Sequence, residues 1–354
     1  MLNCKMKSYM PNGTYHHEWC YLSGRVNILE CSLLSMNFFE KLLSSNNLND
    51  VLTNLNNTPL KAYFTDSKHL YEFETLLDDY YHDKLYEIRS LSPHSAICDF
   101  FLIRNDILNL KKFITSKTLG INKNTFLKGT MSKDTWNNEW HGKATSLPKV
   151  FKESISFFKT AVNNLKKESL PFIIDLICDG AYLRYIENFS NKINVEIIQR
   201  YLMIYQCVKG LKVIRRVMVL KLDMKLLEQY FLEGFDKEHV FYRLMKNTAW
   251  ISEKTLREAF IGAYCNTPLL DQYFIQVLSL NLFPNISFQY EVVTDNYLLD
   301  IMQPVKFIPF GTERVFGYLC GLTVEVFNLK LVLGGKVHRI ESNFLRERLR
   351  KTYA

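Results

Sequence analysis

Apolar residues recur at helical spacing along almost the whole chain, and this periodicity restricts the fold more than any other feature. Leu22, Val26, Leu29, Leu33 and Met36 follow one another at steps of four and three, placing a single apolar stripe on a helix that begins near Tyr21. Leu70, Phe73, Leu77 and Tyr80 repeat the pattern. Ser92 followed by Pro93 is a cap and first-turn pair, and its helix can run through Phe101, Leu108 and Phe113 until Gly120 offers a left-handed stop. Further helices start near Pro148 and Pro171. From Thr312 to Leu333, Thr312 supplies a capping oxygen, Glu313 sits at the positive end of the helix dipole, and Gly334-Gly335 acts as terminator. Strand signals are few: Asn12-Gly13 lies in a polar leader and Asp179-Gly180 inside a helical pattern, so neither joins two alternating runs. The sequence predicts an all-α protein.

At 354 residues the chain has room for two or three compact units. With 47% apolar and 23% charged residues it can bury a core without a disulfide or metal staple, which excludes disordered and low-complexity classes. Its eight cysteines form no C-x-x-C pair and favour reduced thiols in a cytosolic setting. The first eighteen residues lack the apolar core of a signal peptide. The charge-free run Gln272 to Tyr290 contains Gln276, Asn281, Pro284 and Asn285, so a buried helix and a turn fit it better than a membrane span.

The net charge of +8 is concentrated in the middle of the chain. Basic and acidic residues number 12 and 13 in residues 1–120, 21 and 13 in 121–250, and 11 and 10 in 251–354. Lys209, Lys212, Arg215, Arg216 and Lys221 are interleaved with Val208, Leu211, Ile214, Val217 and Met218, the pattern of a basic amphipathic helix. Such a face is either solvated or a contact surface for acidic protein or anionic headgroups. No nucleic-acid-binding motif accompanies it, and nucleic acid is not an expected partner.

One short pattern recurs. Asp106-Ile-Leu-Asn109-Leu-Lys111 and Glu325-Val-Phe-Asn328-Leu-Lys330 match, and Cys207-Val-Lys-Gly210-Leu-Lys212 lies between them, as if one long helix were reused in three lobes. An acid and an Asn at i, i+3 share a helix face, where they can hydrogen-bond a neighbouring helix end or backbone, a structural role.

Catalytic signatures are missing. Gly334-Gly335-Lys336 continues with Val337 and lacks the earlier glycine of a phosphate loop, and neither G-x-S-x-G nor H-E-x-x-H occurs. His16, His17 and Cys20 lack a second ligand pair at zinc-finger spacing. Asp79 with His82 and Asp236 with His239 have the carboxylate-x-x-His spacing of di-metal bundles, but the glutamates to complete such a site, Glu30 or Glu187, are chosen freely. No catalytic residue, metal or cofactor is expected. Thr130 to Gly142, with Trp136 and Trp140 among polar residues, reads as an exposed loop.

From about Tyr21 to Tyr353 the chain resembles the C-type subunits of V/A-type (vacuolar/archaeal-type) rotary ATPases and ATP synthases, a family whose vacuolar member is the d-type subunit. The resemblance is carried by Tyr21, Arg25-Val26 and Leu29-Glu30; by Asp179-Gly180-Ala181-Tyr182-Leu183; by Phe310-Gly311-Thr312-Glu313, Gly317-Tyr318-Leu319 and Glu325 to Lys330; and by Arg348-Leu349 with Tyr353. It implies three related helical lobes in a pseudo-threefold arrangement around a central funnel, here 21–120, 121–240 and 241–354 after a leader of residues 1–20. It also implies a non-catalytic, monomeric, peripheral protein on the cytoplasmic face of a membrane. Its implied partners are the central-stalk subunits of the D and F type and the proteolipid rotor ring. Cys207 and Gly210 depart from the acid and Asn of the other two lobes, and Leu322-Thr323 stand where the family commonly has Lys-Glu. A generic helical scaffold and a carboxylate-histidine metalloenzyme are the rival expectations.

Overall fold

A computed structural model describes residues 15–120, 126–162, 169–237, 239, 241–242 and 288–354. These residues are all-α, with no strand among them. In chain order the helices named below are α1 (Tyr15–Glu30), α2 (Met36–Ser44), α3 (Leu48–Leu55), α4 (Phe73–Leu91), α5 (Ala96–Leu119), α6 (Lys133–Trp140), α7 (Lys149–Val162), α8 (Leu170–Ser190), α9 (Glu196–Val219), α10 (Phe288–Met302), α11 (Thr312–Val337) and α12 (Ser342–Arg346). The run Gln272 to Tyr290 lies almost wholly outside the described residues.

The chain divides into two compact units. One takes the residues up to Cys98 together with Leu299–Ala354; the other is Asp99–Leu298. Segments from the two ends of the sequence therefore share a unit, and residues 15–20 of the leader belong to α1.

Each unit is built around a helix that is apolar on nearly every side, which a helix can be only when it is enclosed. In the terminal unit this is α11, packed by α1, α2, α4 and α12. It is long and apolar enough to cross a bilayer, but 72% of its most apolar window is buried within the protein. In the other unit it is α8, which buries Ile173, Ile174, Leu176, Ile177, Leu183 and Ile186 against α7, α9 and a π-helical turn at Leu227–Phe231.

Several local expectations are corrected. The cap of α11 is Gly311, with Thr312 one residue inside the helix, and α11 continues through Gly334-Gly335 to Val337. The glycine pair admits neighbours instead of ending the helix: a Cβ on Gly334 would press on the Phe73 ring, and one on Gly335 would collide with Leu345. Thr130 to Gly142 is mostly helix, α6, capped by Ser132, and its Trp136 is fully buried beside Phe151. By contrast, α5 ends as the spacing requires, with Gly120 at φ +66°.

Candidate functional site

The recurring acid-x-x-Asn-x-Lys sequence forms the same brace twice. On α11, Asn328 Nδ2 donates to the carbonyl of Arg350 at 2.9 Å and its Oδ1 accepts the N–H of Arg350 at 2.9 Å. On α5, Asn109 Nδ2 donates to the carbonyl of Leu127 at 2.9 Å and its Oδ1 accepts the N–H of Leu127 at 2.8 Å. Each amide thus satisfies both backbone groups of one later residue, a pairing that fixes the returning chain in register.

One helical turn before each Asn, the acid gathers donors. Asp106 accepts from Thr130 N at 2.9 Å, Thr130 Oγ1 at 2.6 Å and Met131 N at 3.0 Å. The approach depends on Gly129, where a side chain would collide with the Asp106 carboxylate. Glu325 accepts from Leu34 N at 2.5 Å and Tyr80 Oη at 3.1 Å, joining α11 to the α1–α2 turn and to α4. Burial raises the Asp106 carboxyl despite those donors. It pushes the wholly enclosed Glu325 up to about 7, against its two donors.

The lysine two residues after each Asn position reaches a carboxylate on another helix. Lys111 lies 2.7 Å from Asp179 and 3.0 Å from Asp175 of α8, Lys330 lies 2.6 Å from Asp78 of α4, and Lys212 pairs with Glu291 of α10. The middle copy keeps this ion pair but not the amide. Gly210 stands where Asn would, and the buried Phe241 ring occupies the space its side chain would need. An apolar plug has replaced the polar clamp there.

The five basic residues of the middle segment are not one row. Arg216 turns toward α8, with Asp179 at 3.3 Å, Asp175 at 3.5 Å and the Phe172 ring centroid at 5.5 Å, so it shares two carboxylates with Lys111. Lys212 is exposed but paired with Glu291. Lys209 Nζ lies 5.1 Å from the Tyr205 ring centroid. Lys221 lies beyond the end of α9, exposed, with φ +52°. Arg215 is on α9, and its side chain lies outside the described residues. Asp175 and Asp179, one turn apart in the otherwise apolar first half of α8, were the sequence signal that α9 would be answered by charge.

A second node escaped sequence reasoning. Arg314 is buried in α11, pairs with Glu30 of α1, and donates to the carbonyls of Val305, at 3.2 Å, and Lys306. Beside it the Gly311 N–H donates to Ser23 Oγ at 3.1 Å, and Lys306 Nζ lies 4.5 Å from the Tyr353 ring centroid. Tyr353 packs on Gly317 and Gly321, one turn apart on α11. Burial raises the Glu30 carboxyl, and Arg314 and Lys306 oppose it. A lone arginine in an apolar helix was the available clue.

The metal-like pairs are placed as follows. Asp79 and His82 lie on α4 in the terminal unit, whereas Asp236 and His239 lie in the other. His239 Nε2 is 3.8 Å from Glu187, and the ring is 4.7 Å from both Phe235 and Phe241. Burial lowers its pKa to about 4, leaving the ring neutral near pH 7. Glu30 is taken by Arg314. Among the described residues, no three His, Cys, Asp or Glu side chains gather closely enough to hold a metal ion. The side chains of His16 and His17 lie outside the described residues.

No curated protein matches the chain significantly. The family model described as ATP synthase (C/AC39) subunit matches residues 22–348, which include both acid–Asn–Lys sequences and Arg314 with Glu30. The chain therefore belongs to the ATP synthase (C/AC39) subunit family, the C-type subunits of V/A-type rotary ATPases.

Proposed function

We propose that this protein is the non-catalytic coupling piece of the rotor: a socket of three related lobes that receives the foot of the central stalk and rests on the membrane ring. Its partners would be the stalk subunits of the D and F type and the proteolipid ring, on the cytoplasmic side of the membrane. Torque passing between stalk and ring would link ion transport to ATP hydrolysis or synthesis elsewhere in the complex.

The observation that best supports this is where the recurring motif spends its polar groups. Asn109 and Asn328 are consumed in backbone clamps, and Lys111, Lys212 and Lys330 in ion pairs between helices. A part that transmits torque needs stiffness, and directional buried hydrogen bonds supply it. Lys209, Arg215 and Lys221 are the members of the basic segment proposed to meet a partner, with Lys212 and Arg216 contributing from within their ion pairs. Charges at such a surface steer orientation and docking rate. The test is to purify the ATPase with and without this chain. Separation of stalk from ring in its absence is expected; a stable stalk–ring assembly without it defeats the proposal.

A further inference from the structure

Most of the excess positive charge of this chain lies before α9. Residues 112–169 hold eleven lysines and four carboxylates, an excess of seven against eight for the whole chain, and no arginine occurs between Arg104 and Arg184. Within this stretch the structure describes the end of α5, the segment from Phe126 through α6, and α7.

These parts form one layer. Asn105, Asn109, Phe113 and Lys117 recur at every fourth residue of α5 and so share a face. Asn105 Nδ2 donates to the carbonyl of Lys128 at 2.8 Å, Asn109 clamps Leu127, and the Phe113 ring meets that of Trp140 at 5.8 Å. Residues 126–140 therefore lie along that face, and the Trp136 ring, 6.1 Å from that of Phe151, ties α6 to α7. The lysines of the layer divide into two sets. Lys152 donates to the carbonyl of Thr145 at 2.7 Å and Lys159 to that of Trp140, so these two staple the layer together. Lys117, Lys128, Lys133 and Lys143 are exposed. Lys117 Nζ lies 5.5 Å from the Phe113 centroid and Lys133 Nζ 5.6 Å from that of Phe126, so both stems rest on rings. Two of the carboxylates are engaged within the unit: Glu139 accepts from Thr145 Oγ1, and Glu153 lies 3.2 Å from Arg184.

The choice of cation identifies the occupant. Recognition of carboxylates on a protein favours the planar fork of arginine, whereas lysine is a compact, hydrated point charge on a flexible stem. Eleven lysines without one arginine suit a diffuse plane of charge. Stems laid on rings with their ammonium groups in water, and a half-buried Trp140 within the same layer, match side chains at a lipid–water boundary. A group of about four such cations is enough to hold a protein to an anionic leaflet. We propose that the surface of Lys117, Lys128, Lys133 and Lys143 rests on the anionic headgroups of a membrane. This does not depend on the rotor assembly proposed above, because the chain alone should show it.

The experiment sediments the purified full chain with vesicles of phosphatidylcholine, alone or mixed with phosphatidylserine, at low and at moderate salt. Wild type should pellet with the mixed vesicles, not with phosphatidylcholine alone, and less as salt rises. K117Q/K133Q/K143Q should bind roughly tenfold or more weakly, while K117R/K133R/K143R, which keeps the charge, should bind as wild type does. K192Q/K225Q/K237Q removes the same charge from exposed positions outside the layer and should keep most of the binding. All three variants should melt with the wild type. Failure of the wild type to pellet with the mixed vesicles, or equal pelleting with phosphatidylcholine, overturns the proposal. Equal losses in the two glutamine variants would reduce it to net charge and reject the surface. Capture of the wild type by immobilised polyglutamate without any vesicle binding would make the layer a contact for acidic protein and reject the membrane.

Discussion

Asn328 closes on the backbone of Arg350 with both atoms of its amide, each hydrogen bond 2.9 Å long, and so ties the C-terminal segment to the central helix of its unit. Removing the amide leaves a buried N–H and C=O without partners. Asn328→Ala should cost about 1–3 kcal/mol, and Asn109→Ala a similar amount through Leu127. Hydrogen exchange gives the sharper check. Amides around Arg350 should lose protection in the first variant, and those around Leu127 and Thr130 in the second. Unchanged exchange in both would show that the clamps do not hold these segments.

Glu325 makes the terminal unit sensitive to pH. Its folded pKa, about 7, lies above the ordinary glutamate value, so the folded state binds the proton more tightly than the unfolded chain. The resulting stabilisation is complete below the ordinary glutamate range and is lost as pH rises through about 7. Tyr80 and Tyr318 beside it stay protonated in this range because burial raises both. The loss should be on the order of 2–3 kcal/mol by pH 8. Glu325→Gln, whose amide can donate to Tyr80 and accept from Leu34 N–H, should flatten the denaturation midpoint between pH 6 and 8. A wild-type midpoint that is already flat there would count against this account.

Gly321 faces Tyr353 so closely that a Cβ would lie 2.6 Å from the tyrosine Cβ. Gly321→Val should therefore displace the C-terminal segment and destabilise the protein by about 1–3 kcal/mol, read as a lower melting temperature. Gly24 has open space around it, and Gly24→Ala should be neutral or slightly stabilising.

The basic segment should respond unevenly to charge reversal. Arg216→Glu would place a third carboxylate beside Asp175 and Asp179, with Lys111 alone to balance them, and should lower stability by roughly 1–2 kcal/mol after allowance for its partial exposure. Lys221→Glu, exposed beyond the helix end, should leave the melting temperature unchanged. Any effect it has on docking should fade as salt rises, because exposed charges act through screened fields. Equal destabilisation by the two reversals would contradict the placement of Arg216.

Much of the architecture was legible in the residues themselves, because helical periodicity is a local property. The stripe of Leu22, Val26 and Leu29, the stop at Gly120 and the long apolar helix after Gly311 each depend on neighbours within a few turns, whereas Leu33 and Met36, read as part of the same stripe, lie beyond the end of α1 at Glu30. The acid and Asn at i, i+3 shared a face by geometry alone, so a brace could be foreseen at Asp106/Asn109 and Glu325/Asn328, although the backbone groups they hold could not. The amide of Asn328 meets a residue 22 positions later, and Glu325 meets one 291 positions earlier. Only the packing of α11 against both ends of the chain brings these together. Burial of Trp136, which its polar surroundings had suggested was exposed, and the pairing of Arg216 with α8, which divides the basic row, are likewise products of packing. Short-range spacing was enough to set the helical class and the apolar faces of the longer helices, but not α6 or the continuation of α11 through Gly334-Gly335. Which polar groups meet was left to the folded chain, because a buried charge or amide takes whichever partner the fold carries within about 3 Å of it.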